Sequence, residues 1–464
     1  MQNYVSPRYL NILLITVFFL AASVGWLIAS NFSISVILGS AIGLIILGIT
    51  SIKFRLLQIK VIAGFILGLY VLSFSLTRTD LPWITINELR IPIHILLLPI
   101  LIILHLLHKS DKRAVINNNR NKIIPYTNIL LLGILALIPL FVSLIFADNK
   151  ISSIQLIFEI SIYFLGFYFF SQFVDDFKIW KILLWIYIIT SIVVVAVSLY
   201  NYFFSPLHYR LGPTKTPVFN QFAFSLELAV LFMVSVILSK RRILGFLLSF
   251  LAFSTLLLGF ILTYSRGAWI AALIGSIFFG ILSIRLINPR RIILLLTMFS
   301  LLLATIFILR PPFLFQRLAT AAEANSRRFE ESNISRLSIY ELGIDLVMES
   351  PIIGIGWGQE LTDNLTNAHN SFIALWVGSG VFSLLIFIFI LIIHGRNLWL
   401  SRKYLNQYYL AGNVLFSTFI ATIFLMLFKN IFFDSFFWAF LGLQAAAVNV
   451  YSLSSNTNTF DHDS

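Results

Sequence analysis

Few side chains in this chain of 464 residues are equipped for chemistry, and the most pointed group is Asn367-Ala368-His369-Asn370-Ser371-Phe372. It stands where a long polar stretch meets an apolar run. An imidazole titrates near neutrality, so a histidine at such a boundary suits proton transfer, and Asn367 and Asn370 are polar groups able to fix its tautomer. Five arginines occupy comparable places: Arg210 in Tyr209-Arg210-Leu211-Gly212-Pro213-Thr214, Arg266 in Thr263-Tyr264-Ser265-Arg266-Gly267-Ala268-Trp269, and Arg327, Arg328 and Arg336 in the polar stretch. A guanidinium stays charged and grips phosphate through a planar bidentate fork. One histidine among separate arginines therefore suits a lipid pyrophosphate, whose head group lies at the membrane surface. Two acids, Glu159 and Glu227, fall inside apolar runs, where an ionisable group faces a bundle interior or a cavity. Glu227 follows Asn220 and Gln221 by about two helical turns, which makes one face of that helix polar over half its length. A proton pathway and a structural partner for an arginine are both open to it.

The elements that must position these groups are membrane spans. Hydrophobic residues make up 59% and charged residues only 11% of the chain, with a mean hydropathy of +0.95. Apolar runs of about 20 residues recur throughout, each long enough to cross the hydrocarbon core. They are continuous and do not alternate with period two, which excludes a transmembrane barrel. The expected fold is an all-α polytopic bundle of 12–14 spans. Fourteen candidates begin near Tyr9, Phe32, Val61, Ile91, Ile124, Gln155, Lys181, Phe219, Ile243, Gly267, Ile292, Ser371, Tyr408 and Ile431. The run from Tyr9 to Ala29 is too long for a signal-peptide core and counts as a retained span.

Charge sets the expected orientation. With the N-terminus in the cytoplasm, inner segments hold 20 of the 32 Lys and Arg residues, and every short inner loop is basic. The net charge of +13 is thus a topology signal rather than a mark of nucleic-acid binding. Both termini are then cytoplasmic in the inner membrane. His94, His208 and His369 fall on or near the outer (periplasmic) face with the five arginines, while His105, His108 and His394 fall at inner helix ends. His94 opens a span among apolar neighbours and reads as an interfacial residue.

Residues 1–451 form one transmembrane domain, with an external loop over 310–370 and a short disordered cytoplasmic tail over 452–464. Within the loop, Ser335 to Ser350 is expected as an amphipathic helix. Ser335 stands at its cap, Leu337, Tyr340, Ile344 and Val347 form its apolar stripe, and Pro351 follows its end. Such a helix suits a lid over the bundle. Gly354-x-Gly356-x-Gly358 follows a proline rather than a strand, so it marks a tight turn with close backbone approach, not a dinucleotide fingerprint. There is no cysteine, and the only Asp-x-Asp is in the tail. No metal site and no cofactor are expected.

In three places the chain resembles the O-antigen ligase and polymerase superfamily of membrane lipid-linked glycan transferases. These are Ser265-Arg266-Gly267-Ala268-Trp269; Ser335-Arg336-Leu337 leading to Glu349-Ser350-Pro351-Ile352-Ile353-Gly354-Ile355-Gly356; and Ala368-His369-Asn370-Ser371-Phe372 followed by Gly378-x-Gly380. A weaker likeness is Arg210-x-Gly212 before Asn220-Gln221, where the family's Asn-Pro-Asn-Gln is replaced by Val218-Phe219-Asn220-Gln221. The resemblance covers roughly Ala196 to Ile393. It implies metal-independent glycosyl transfer from undecaprenyl pyrophosphate to an acceptor hydroxyl on a glycolipid or glycan, in lipopolysaccharide or related envelope polysaccharide synthesis. It implies His369 as general base and Arg210, Arg266 and Arg336 as pyrophosphate ligands, supported by Asn370, Ser265, Asn220, Gln221 and Glu227. Ligase and polymerase both fit, with ligase ranked first. A polytopic small-anion transporter is the reading from another class, though the chain has no visible inverted repeat or paired broken helices. A structural role in envelope assembly is a third.

Overall fold

The computed structural model describes residues 66–67, 83–86, 89–92, 124, 126–147, 150–174, 176–204, 219–239, 243–309, 319, 338–357, 370–432 and 434–457. Among them the protein is a bundle of long helices. These are α1 (Tyr126–Ser143), α2 (Lys150–Phe173), α3 (Phe177–Phe204), α4 (Phe219–Ser239), α5 (Ile243–Leu262), α6 (Arg266–Ser283), α7 (Pro289–Leu309), α8 (Ser371–Leu405), α9 (Ala411–Phe428) and α10 (Ser435–Thr457). Eight helices are long and apolar enough to cross a membrane, and α10 holds a further apolar stretch, Phe436–Ser452. Helices are the expected solution, because hydrocarbon leaves backbone polar groups no partner but their own chain. The ten coincide with the last ten candidate spans; the first four lie almost entirely outside the described residues. The all-α architecture holds, with one small exception: Trp83–Ile86 pairs antiparallel with Leu89–Pro92, Trp83 opposite Pro92.

The principal packing partners are distant in sequence: α1 with α8, α2 with α10, α6 with α9. Helix α4 is the central element, with 89% of Phe222–Ser239 buried. At one end of the bundle, Arg291 Nη1 donates to Leu238 O (2.6 Å), Asn413 Nδ2 to Leu282 O (3.1 Å), and the Phe177 ring meets Tyr404 and Tyr408. The described basic residues at these helix ends, Lys178, Arg285, Arg290 and Arg291, gather there, as do Arg402 and Lys403 in the last turn of α8. The opposite end carries the first turns of α6 and α8.

Helix α8 departs from a simple span. It is 35 residues long and broken at Gly380, whose φ of 78° and ψ of 175° only glycine adopts readily. The backbone groups released by the break are taken up by the end of the segment between α7 and α8. Ile355 N donates to Val377 O (2.8 Å) and Val381 N donates to Pro351 O (3.1 Å). The Trp376 indole adds a bond to the same Pro351 carbonyl (3.0 Å). A Cβ on Gly354 would stand 2.6 Å from Val377 O, so the turn expected from its glycines is here a backbone-to-backbone docking. Beyond it Trp357 is buried, with its carbonyl accepting the Ser153 hydroxyl of α2.

The loop helix forms over 338–349 and differs from the expected amphipathic pattern. Leu346 and Val347 are buried against Val377, with Ile339 and Leu342 beside them, whereas Ile344 of the expected stripe is 55% exposed. At 100° per residue the helix has three faces. One meets the bundle, one exposes Ile344 and Met348, and one exposes Glu341, Asp345 and Glu349. A helix lying flank-on at a membrane surface, with a bundle, a lipid and a water side, is built this way.

Two further expectations are corrected. His394 does not sit at a helix end: α8 continues three turns past it, and the imidazole is fully buried. Tyr126 Oη lies 3.0 Å from Nδ1, Nε2 lies 3.0 Å from Gln444 Oε1, and Gln444 Nε2 donates to Leu415 O (2.9 Å). Because the glutamine oxygen only accepts, the ring carries its hydrogen on Nε2 and accepts from Tyr126. This network ties α1, α8, α9 and α10 together. The tail expected to be disordered from Ser452 is helical through Thr457, since the last turns of α10 stay anchored by Asn449 Nδ2 to Val174 O (3.0 Å).

Candidate active site at the first turns of α6 and α8

The α5–α6 hairpin is locked by its own short polar groups. Thr263 Oγ1 donates to Phe260 O (2.6 Å) and accepts from Ser265 N (3.3 Å), and the Trp269 indole reaches the same Phe260 carbonyl (3.4 Å). Tyr264 turns the chain with a φ of 51°, and burial holds its phenol above the ordinary value, so it stays a neutral donor at physiological pH. Ser265 is buried at the N-cap in extended backbone, without closing the cap through its own hydroxyl. Arg266 is the first residue of α6 and half-buried. A helix N-terminus joined to a guanidinium suits an anion, since the dipole and the charge have the same sign.

Helix α8 begins with a designed stop of a different kind. Asn370 Oδ1 accepts from Phe372 N (2.9 Å) and Ile373 N (3.1 Å), which caps the helix. That commits the Asn370 oxygen to α8, so it fixes how the chain enters the helix rather than the imidazole of His369. Ser371 Oγ donates to Lys429 O (2.8 Å) and accepts from Ile431 N (2.9 Å), bolting α8 to the α9–α10 connection. Phe428, at the end of α9, packs on the first turn of α6, where a Cβ on Gly267 would lie 3.2 Å from Phe428 Cβ. Asp434 Oδ1 caps α10 through Phe436 N (2.9 Å), and Tyr340 of the loop helix donates to Leu427 O (3.3 Å).

Of the residues singled out from sequence, Ser265, Arg266 and Asn370 therefore meet at one corner. His369 immediately precedes Asn370 and lies outside the described residues, as do Arg210 and Arg336. Asn220 and Gln221 stand in the first turn of α4, a helix packed against α6 and α9. Glu227 lies two turns further on, 2% exposed, and neither carboxyl oxygen has a hydrogen-bond partner. The arginine partner anticipated for it is not found among the described residues. Tyr187 is within its electrostatic reach, but the tyrosine hydroxyl is given to Ser225 O. Sequence reasoning missed Ser371 and the Lys429–Asp434 turn. The only signal was a lysine and an asparagine between two closely spaced spans.

A polytopic helical bundle with a basic end, a polar corner at the other end and a loop docked into a broken helix defines a multi-pass membrane protein. Residues 250–388 match the family model described as O-antigen ligase, so this stretch is similar to the superfamily its motifs resemble. The matched stretch runs from α5 through the Arg266 turn, the loop and the break in α8. No curated protein matches the chain. Over this stretch the protein is O-antigen ligase-like.

Proposed function

We propose that this protein transfers a glycan from an undecaprenyl-pyrophosphate carrier to an acceptor hydroxyl on the outer face of the cytoplasmic membrane, as an O-antigen ligase does. His369 takes the acceptor proton while the acceptor oxygen forms a bond to the anomeric carbon. The bond from that carbon to the pyrophosphate oxygen breaks, and undecaprenyl pyrophosphate leaves with its additional negative charge. Arg266, Arg210 and Arg336 bind and stabilise that charge, so side-chain cations supply what a metal would otherwise provide. Ser265 and Asn370 stand at the two helix starts, and Asn220, Gln221 and Glu227 extend a polar face on α4.

One observation carries this reading: the helix start bearing Arg266 and the helix start that directly follows His369 pack against the same α9–α10 connection. It supports reading Arg266 and His369 as parts of one site. The orientation rests on the charge count, which sends this corner outward. Polymerisation differs only in the acceptor, a second lipid-linked glycan in place of a glycolipid such as the lipid A core.

The test is glycan transfer by purified protein in lipid, from a defined undecaprenyl-pyrophosphate donor to each acceptor. His369→Ala is expected to insert and fold normally yet lose transfer by roughly 100-fold to 10,000-fold, the usual contribution of a positioned base. Undiminished transfer by that variant sinks the base assignment. The acceptor that turns over separates ligase from polymerase.

A further inference from the structure

At the end of the bundle opposite that corner, the turn between α8 and α9 is tied shut by two amides. Asn406 Nδ2 donates to Asn413 Oδ1 (2.9 Å), and Asn406 Oδ1 accepts from Asn413 N (2.9 Å). Between them Tyr409 and Leu410 take left-handed backbone, with φ of 48° and 54°, which residues with a side chain adopt only at a cost. The turn sets the Tyr408 ring edge-on to Phe177 of α3. There the Lys181 ammonium lies over both rings, 4.5 Å from the centre of Phe177 and 4.9 Å from that of Tyr408. Lys181 is half-buried, and among the described residues no carboxylate pairs with it. The rings therefore hold the cation in place without neutralising it. Tyr408 Oη accepts from Trp185 Nε1 (2.6 Å), which leaves the phenol its own hydrogen to donate. Burial pushes this phenol up to about 12, so the hydrogen is retained at physiological pH.

A fixed cation beside a hydroxyl donor suits a phosphate. Depth decides whose phosphate it is. Lys181 stands one turn inside the span Phe177–Tyr200, with Trp185 a turn further in. Tryptophan and tyrosine gathered at such a level mark the membrane–water border, where lipid head groups lie. Lys178, Arg290, Arg291 and Lys403 share this end of the bundle, and Asp176 is the one carboxylate there among the described residues. Such a field draws an anionic head group from the leaflet and offers nothing to the ammonium end of a zwitterionic one. We propose that Lys181 and Tyr408 form a site for the phosphate of an anionic phospholipid, such as phosphatidylglycerol, which bridges α3 and the α8–α9 turn. The family match covers residues 250–388 and leaves out both residues, so it assigns them no role. The inference is independent of the glycan-transfer reading and holds whatever reaction the opposite corner performs.

The experiment titrates the full chain in detergent with phosphatidylglycerol or phosphatidylcholine of the same acyl chains and counts bound lipid by native mass spectrometry. The parent is expected to prefer phosphatidylglycerol. Lys181→Met, of nearly equal length but uncharged, is expected to weaken that binding by about tenfold or more and to leave phosphatidylcholine binding unchanged. Tyr408→Phe keeps both rings and drops the hydroxyl, and a loss of about fivefold is expected. Lys403→Gln removes an exposed charge outside the clamp and is expected to stay within about twofold of the parent. If Lys181→Met fails to fold, Lys181→Gln gives the same contrast. A parent that binds the two lipids equally overturns the proposal, as does Lys181→Met with undiminished phosphatidylglycerol affinity. Lys403→Gln losing as much as Lys181→Met also overturns it, because that is the behaviour of a diffuse basic surface. Displacement of the lipid by millimolar inorganic phosphate makes this a site for free anions and overturns the lipid assignment.

Discussion

Replacing Gly380 by alanine is the most direct test of how the segment ahead of α8 is held, and the structure sets its size. A methyl at this position would overlap the carbonyl of Ile352, and the φ of 78° with ψ of 175° is one that alanine avoids. The conformational strain alone is about 1–3 kcal/mol. Relieving the overlap moves Pro351–Ile355 away from α8 and breaks three bonds, Ile355 N to Val377 O, Val381 N to Pro351 O and Trp376 Nε1 to Pro351 O. Each contributes about 1 kcal/mol net, and more where the orphaned group stays buried. A loss of about 4 kcal/mol or more is expected. The assay is thermal unfolding in detergent, paired with protease sensitivity of the loop ahead of α8. Gly280→Ala is the matched control, since a Cβ there has nothing within 4 Å and the residue lies inside α6. That change is expected to be neutral or stabilising by up to about 1 kcal/mol. If Gly380→Ala melts like the parent and its loop resists protease equally, the docking of loop onto helix does not hold the break.

The other predictions concern the corner and the core. Arg266→Lys keeps the charge but loses the bidentate fork, so turnover from the pyrophosphate donor is expected to fall by about tenfold or more. Unchanged donor affinity and turnover would reduce Arg266 to a membrane anchor. His394→Leu strands the Tyr126 hydroxyl and the Gln444 oxygen in the core, costing about 1–3 kcal/mol for each. Adding Tyr126→Phe is expected to recover part of that stability, and transfer by whichever variant folds is expected to be near normal. A stable His394→Leu protein without activity would give this histidine a catalytic part.

Much of the bundle is visible in the amino-acid order, because a run of some 20 apolar residues has little choice but to become a helix. The run from Ser371 shows where that logic stops. Hydropathy does not register a break within continuous apolar sequence, since the break exists only because Pro351 to Ile355 arrives to complete it. The glycines Gly354 and Gly380 are plain in the sequence, yet their meaning is a contact between them. The amino-acid order alone puts His394 at a helix end, and the extra length of α8 carries it inside. In the loop helix the apolar residues divide between two faces, so a single stripe misassigned Ile344. The hairpin over 83–92 lies between apolar runs and has only four residues to a strand, too short to stand out from a connector. At the site, arginine and histidine announce themselves by chemistry. Ser371 and Lys429 do not, because their roles are set by each other.

The broken helix also bears on how the molecule is made. Most spans of a polytopic protein can settle in the bilayer one at a time, each complete within itself. The first part of α8 is not complete until residues 351–355 have folded back onto it, and those residues are synthesised before the helix they finish. Loop and helix therefore mature as one unit. A lesion in either is expected to surface as a late assembly failure, with the other spans already in place.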